Sequence, residues 1–158
     1  MPLQADVALQ KLPPQNLEAE QMVLGAVLIE NSAIETVSDI LSPDDFYKDA
    51  HRRIFGVMQE MGDRKEAIDL ITLTDALRNS GHLEKVGGAS YLSALVSLVP
   101  TAANVKNHAK IVREKAVLRK LIHSATEIIS QSYDEATTSR NIENILDQVV
   151  IDGHAKGI

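Results

Sequence analysis

From Val105 to Ile129 apolar residues recur at helical spacing with no glycine or proline among them: Val105, Ala109, Val112 and Ala116, then Leu118, Leu121, Ile122, Ala125, Ile128 and Ile129. About 30 residues of unbroken helix rise roughly 45 Å, more than a small compact domain needs, so most of this helix must project. A lone projecting helix would leave its apolar stripe in water. The segment YDEATTSRNIENILDQVV, Tyr133 to Val150, supplies a partner: a polar turn, then Ile142, Ile145, Leu146 and Val149 on one face. The pattern predicts an antiparallel helical hairpin over residues 101–150. Pro100 is its joint, because proline disfavours helical dihedrals in the residue before it, while Thr101 offers a side-chain oxygen to cap the helix that begins next. A two-helix arm has one seam and two outer faces, and Ile111, Val117, Leu118 and Ile122 cannot all reach that seam. Leftover apolar surface of this kind marks contact with another chain. The expectation is self-association, two hairpins making a four-helix bundle, with Ile111, Leu118, Ile142, Ile145 and Leu146 as the candidate residues.

Ahead of the joint the signals are shorter. Residues 1–15 show no periodicity and contain Pro13-Pro14, which predicts a flexible N-terminal arm. Asn16 can cap a helix whose first turn carries Glu18 and Glu20, with Leu17, Leu24, Val27 and Leu28 as the inward stripe. Gly25 inside that helix is either the point of a close helix approach or a tolerated surface glycine; it costs about 1 kcal/mol relative to alanine. Ser32-Ala33-Ile34-Glu35 fits a capping box introducing a short helix with Val37, Ile40 and Leu41. Ser42-Pro43-Asp44-Asp45 repeats the start signal for a helix from about Tyr47 to Met61, with Ile54, Phe55, Met58 and Met61 on one face. Thr72 to Asp75 can cap a short helix ended by Asn79-Ser80-Gly81. After Gly87-Gly88 a helix from Ala89 to Val99 is expected to bury Tyr91 or Leu92, Leu95 and Leu98. The fold class is therefore all-α: a compact multi-helix globular head over residues 16–100, the long hairpin over 101–150, and a tail or the start of a linker over 151–158.

Composition narrows the function classes. With 22 acidic residues against 16 Lys and Arg, the formal charge is −6, and the mean field repels a phosphate backbone, so strong direct DNA binding is not expected. Five aromatic residues are too few and too scattered for a base-stacking platform. The absence of cysteine removes thiol catalysis and cysteine-ligated zinc and suits a cytoplasmic compartment. No apolar run approaches the roughly 20 residues that span a bilayer. Gly87-Gly88 lack the lysine and preceding strand of a phosphate-cradling loop, and the five histidines have no metalloprotease spacing, so no catalytic, cofactor or metal residue is expected. His51, His82, His108, His123 and His154 are read as surface or packing residues. Adjacent Asp44-Asp45 are read as capping and dipole residues. The basic run KIVREKAVLRK, with Lys110, Arg113, Lys115, Arg119 and Lys120, is read as a solvated helix face, and Met22, Met58 and Met61 as core filler.

The stretches PPQNLEAEQMVLGAVL, DFYKDAHRRIF, LITLTDAL, GGASYLSAL and VPTAANVKNHAKIVREKAVLRKLI, in that order over Pro13 to about Leu146, resemble the N-terminal domain of the replicative DNA helicases of the DnaB family. The resemblance implies a helical head and hairpin that assemble a hexameric ring, often as a trimer of dimers, and dock the primase and in some members a loader. The function expected is a non-catalytic assembly and partner-docking domain in DNA replication. The RecA-like motor domain of that family, to which ATP and Mg would belong, has no counterpart in this sequence, so ATP hydrolysis and unwinding are not expected of it. The ending VVIDGHAKGI also departs from the family's run of hairpin helix into linker. Ile122 and Ile128 stand on neighbouring faces of the long helix among small or polar residues and are expected as apolar anchors for the primase's helicase-binding domain. The resemblance adds Glu18 and Tyr91 by their positions in the matching motifs. The alternative is that all four are ordinary core or capping residues. Two rival identities are the helicase-binding domain of a primase, which resembles this fold, and a small helical DNA-binding protein, whose basic recognition helix is not evident.

Overall fold

The helix opened by Asn16 is the hub of one compact unit, Gln15–Glu114, in a computed structural model that describes residues 11–134 and 139–154. The Asn16 side chain accepts the Ala19 amide at 2.9 Å and starts α1, Leu17–Ile29. Every residue from Val23 to Leu28 is buried. A helix apolar on all sides needs neighbours on all sides, and α1 packs against α2 (Ala33–Ile40), α3 (Asp49–Asp63) and α5 (Gly88–Leu98). The inward surface is thus wider than the expected stripe, while Leu17, assigned to that stripe, stays exposed in the first turn. At Gly25 the close approach is real: an added Cβ would lie 2.6 Å from the Leu95 carbonyl oxygen and against Val99 Cγ2.

Several expected starts are realised differently. Ser32 has helical dihedrals and makes no capping bond; its hydroxyl donates to Glu30 Oε1 at 3.3 Å. Ser42 and Asp45 do form a capping box, but over a single 3-10 turn, Pro43–Asp45, and α3 begins only at Asp49. For α4, Leu70–Asn79, the cap is Asp69, whose carboxylate accepts the Thr72 amide at 2.8 Å. Thr72 is the third helical residue, not the cap, and its hydroxyl oxygen accepts from the Asp69 amide in return. A second 3-10 turn, Glu84–Val86, ends at Gly87, whose φ of 105° lies in the left-handed region that glycine adopts without strain. In α5, Leu92 and Leu95 are fully buried and Leu98, expected inside, is 49% exposed. The Thr101 oxygen accepts the Ala103 amide at 3.1 Å, closing a turn before α6, Val105–Ser132, instead of capping that helix. Ile54, Phe55, Met58, Leu73 and Leu77 complete the core with Val105, Ala109 and Val112 from the start of α6. Each large side chain so buried contributes about 1.5–3 kcal/mol. This unit therefore runs past Pro100 to Glu114, because the first turns of α6 belong to its core.

The other compact unit holds the rest of α6 from Lys115, α7 (Ser139–His154) and the described residues up to Pro14. Half-buried positions recur at Val117, Ser124, Ile128 and Gln131 on α6 and at Ile142, Ile145 and Val149 on α7, one face of each helix. Among the described residues every regular element is helical, seven α-helices and two 3-10 turns. The expected N-terminal arm and the last residues of the tail fall largely outside the described residues.

Candidate functional site

In the head, an acid, a histidine and a tyrosine from three helices meet. Glu20 lies on the buried side of α1, one turn ahead of Val23 and Leu24, and is 1% exposed. A carboxylate taken out of water needs hydrogen-bond donors. It has the Tyr47 amide at 2.7 Å, the Lys48 amide at 3.4 Å and the ring nitrogen Nδ1 of His51 at 2.7 Å. His51, on α3, is fully buried, with Phe46 set edge-on to its ring. Its Nε2 lies 2.6 Å from the Tyr91 hydroxyl on α5, and the two rings are nearly parallel, 14° apart. Gln21 Nε2 donates to the same hydroxyl oxygen at 3.3 Å, and the Lys48 ammonium sits 3.5 Å from that oxygen and 4.5 Å above the ring. Tyr91 is half-buried and Lys48 is exposed.

A buried ion pair joins the 3-10 turn to α6: Arg113 Nη1 donates to Asp45 Oδ1 at 3.0 Å, with both side chains nearly inaccessible. The basic run on α6 is therefore not a uniformly solvated face. Arg113 is in the core of the head, and Arg119, in the other unit, donates to the Pro14 carbonyl at 2.8 Å. Lys110 and Lys120 do face water. Asp45 likewise does more than cap, since the same carboxylate serves the Ser42 amide and Arg113. Met58 and Met61 are buried in the core, and Met22 is packed against it half-buried.

The candidate docking residues have different settings. Glu18 is exposed in the first turn of α1. Tyr91 is tied to Glu20 through His51. Ile122 is 39% exposed, whereas Ile128 is half-buried and its neighbour Ile129 is 37% exposed. Among the residues expected to drive self-association, Leu118 and Leu146 are exposed, and Ile142 and Ile145 are half-buried on one face of α7. Ile111 is not on the arm at all; it packs against the core of the head, whose compact unit extends to Glu114. Sequence reading missed Glu20 and His51. The available signal was an ionisable residue on the buried face of an apolar helix, which demands a partner; the partner's identity is not local. Among the described residues no group of His, Asp and Glu could hold a metal ion, and no helix is long and apolar enough to cross a membrane.

The profile of the DnaB-like helicase N terminal domain family matches residues 12–114. The chain is 47% identical over 143 residues to the replicative DNA helicase DnaC of Bacillus subtilis (strain 168), covering 90% of this chain and 31% of that protein. It is 49% identical over 139 residues to the replicative DNA helicase DnaB of Geobacillus stearothermophilus, covering 88% and 30%. The chain thus spans about a third of the length of these curated relatives. The fold is similar to the crystal structure of the N-terminal domain of DnaB helicase from Mycobacterium tuberculosis, with a TM-score of 0.83 and 37% identity over 88% of this chain and 99% of that one. A DnaB-like replicative helicase whose structure was described together with its interactions with primase superposes with a TM-score of 0.73 at 29% identity, over 88% of this chain and 32% of that one.

Proposed function

This chain belongs to the DnaB-like helicase N-terminal domain family, and from that premise we propose that it is the non-catalytic assembly and primase-docking part of a replicative DNA helicase. The observation that carries the reading is the arm's exposed apolar surface: Leu118, Leu121 and Ile122 on α6 and Leu146, Val150 and Ile151 on α7 are between 39% and 60% exposed. A patch of that kind on a surface helix gains by meeting another chain. A second copy of the arm covers part of it as a four-helix bundle, the unit from which a trimer of dimers in a hexamer is built. The primase's helicase-binding domain takes the remainder, with Ile122 as the accessible anchor on the arm and Glu18 and Tyr91 as contacts on the head. Support for the primase comes from the similar helicase whose interactions with primase were described. ATP hydrolysis and unwinding are assigned to the motor region of the longer relatives, and a loader is a further partner of the same assembly.

The test is light scattering across a concentration series together with calorimetric titration of the primase's helicase-binding domain. The expected result is a mass that rises with concentration, and an Ile122→Ala variant that folds normally but binds primase about 1 kcal/mol or more weakly. A strictly monomeric mass at high concentration would remove the assembly role. Unchanged affinity in a folded Ile122→Ala variant would remove the anchor, and DNA-stimulated ATP turnover by the pure protein would remove the non-catalytic reading.

A further inference from the structure

We infer that Glu20 and His51 are positioning residues for partner docking: they hold Tyr91 in one orientation with its hydroxyl hydrogen turned into the protein. The inference rests on the docking role proposed for Tyr91. It comes from counting hydrogens. The Tyr47 and Lys48 amides can only donate, so the Glu20 oxygens accept, and the His51 nitrogen Nδ1, 2.7 Å from Oε1, carries the hydrogen between them. At the other end, the amide nitrogen of Gln21 and the ammonium of Lys48 also have only hydrogens to offer, and both meet the Tyr91 oxygen. That oxygen accepts from both. Its own single hydrogen then has one acceptor at 2.6 Å, the bare Nε2 of His51. The imidazole is accordingly neutral and protonated on Nδ1.

The chain of contacts runs from a carboxylate fastened to backbone amides, through a fully buried ring, to a side chain half in solvent. A surface tyrosine without such an anchor must be ordered when a partner binds, which weakens the complex; here the ordering is completed on folding. The arrangement also selects what is offered. The hydroxyl hydrogen is committed inward, so a partner reaching Tyr91 meets the remaining hydrogens of the Lys48 ammonium held over its ring. The contact at Tyr91 therefore suits a hydrogen-bond acceptor, such as a carboxylate on the primase, in preference to a donor.

Two measurements on the intact chain test this. Nitrogen-15 NMR of the His51 ring in the unsubstituted protein, which does not depend on any variant folding, is expected to show Nδ1 protonated and Nε2 bare; the opposite tautomer overturns the inference. A double-mutant cycle tracks the affinity for the primase's helicase-binding domain in the parent, Glu20→Gln, Tyr91→Ala and the double variant. Glu20→Gln is expected to weaken binding at least about fivefold in the parent, and less than about twofold once Tyr91 is alanine. Equal weakening in both backgrounds means that Glu20 does not act through Tyr91, and the inference fails. If Tyr91→Ala weakens binding while Glu20→Gln does not, the docking role stands and the positioning role falls. If Tyr91→Ala leaves affinity unchanged, the docking role at Tyr91 falls first and the inference with it.

Discussion

The head and the arm use the same kinds of apolar residue and treat them differently. In the head, Val23, Leu24, Ile54, Phe55, Leu73 and Leu92 are wholly withdrawn from water. On the arm, Leu121, Leu146 and Ile151 remain 44%, 49% and 60% exposed, and even the inward positions Ile142, Ile145 and Val149 are only half-buried. The difference arises from geometry. Helices packed around α1 enclose a volume, whereas two helices can only share a line of contact, and half of each remains outside. The head can thus draw its stability from its own chain. The arm cannot do so to the same degree, and residues that look like core in its sequence stay partly or largely in water.

The comparison can be broken most severely from the head. Phe55→Ala removes a fully buried ring packed 5.0 Å from that of Phe46, and the expected loss is about 3–5 kcal/mol of unfolding free energy, read by denaturant titration. A loss under about 1 kcal/mol would mean that the head is no better packed than the arm. A smaller effect is expected at the cap of α4. Asp69→Ala should cost about 0.5–1 kcal/mol, at the low end for a cap because the residue is exposed. The bond from the Thr72 amide holds the Asp69 carboxyl below its ordinary range. With the folded value depressed, this contribution is present above the unfolded value of about 3.9 and fades as pH falls through the folded one. Asp69→Asn should therefore flatten the acid limb of the stability curve below about pH 4, and an unchanged limb would dissociate the cap from the titration. The smallest effect on stability belongs to the arm: Leu146→Ser at a half-exposed site should change unfolding by under about 0.5 kcal/mol, yet lower the mass seen by light scattering. If it instead destabilises the single chain by several kcal/mol, the arm has a core of its own and the contrast disappears.

Most of the element order was legible because its signals are local. Asn16 caps α1 through an amide three residues away, Asn79-Ser80-Gly81 ends α4, and the apolar spacing from Val105 onward runs unbroken through α6. Such features depend on neighbours within about one turn, and a sequence displays those neighbours directly. The same locality explains the errors at Ser32 and Thr72: each has the right residue types for a cap, but which of several adjacent candidates starts a helix depends on where the preceding chain must go. The family resemblance was legible for a further reason, since long motifs in a fixed order carry information that no single spacing does.

What the sequence determined, then, was the helical class, the order of the elements and the unbroken long helix α6. The tertiary structure decided which distant residues meet. His51 lies 31 residues from Glu20 and 40 from Tyr91, and Arg113 is 68 from Asp45. It also decided that Gly25 is where α5 crosses α1, and that the head claims α6 as far as Glu114. The physical reason is that a buried polar side chain is stabilised only by the partner that packing brings within about 3 Å, and packing is a property of the whole enclosed volume, not of any segment that lines it.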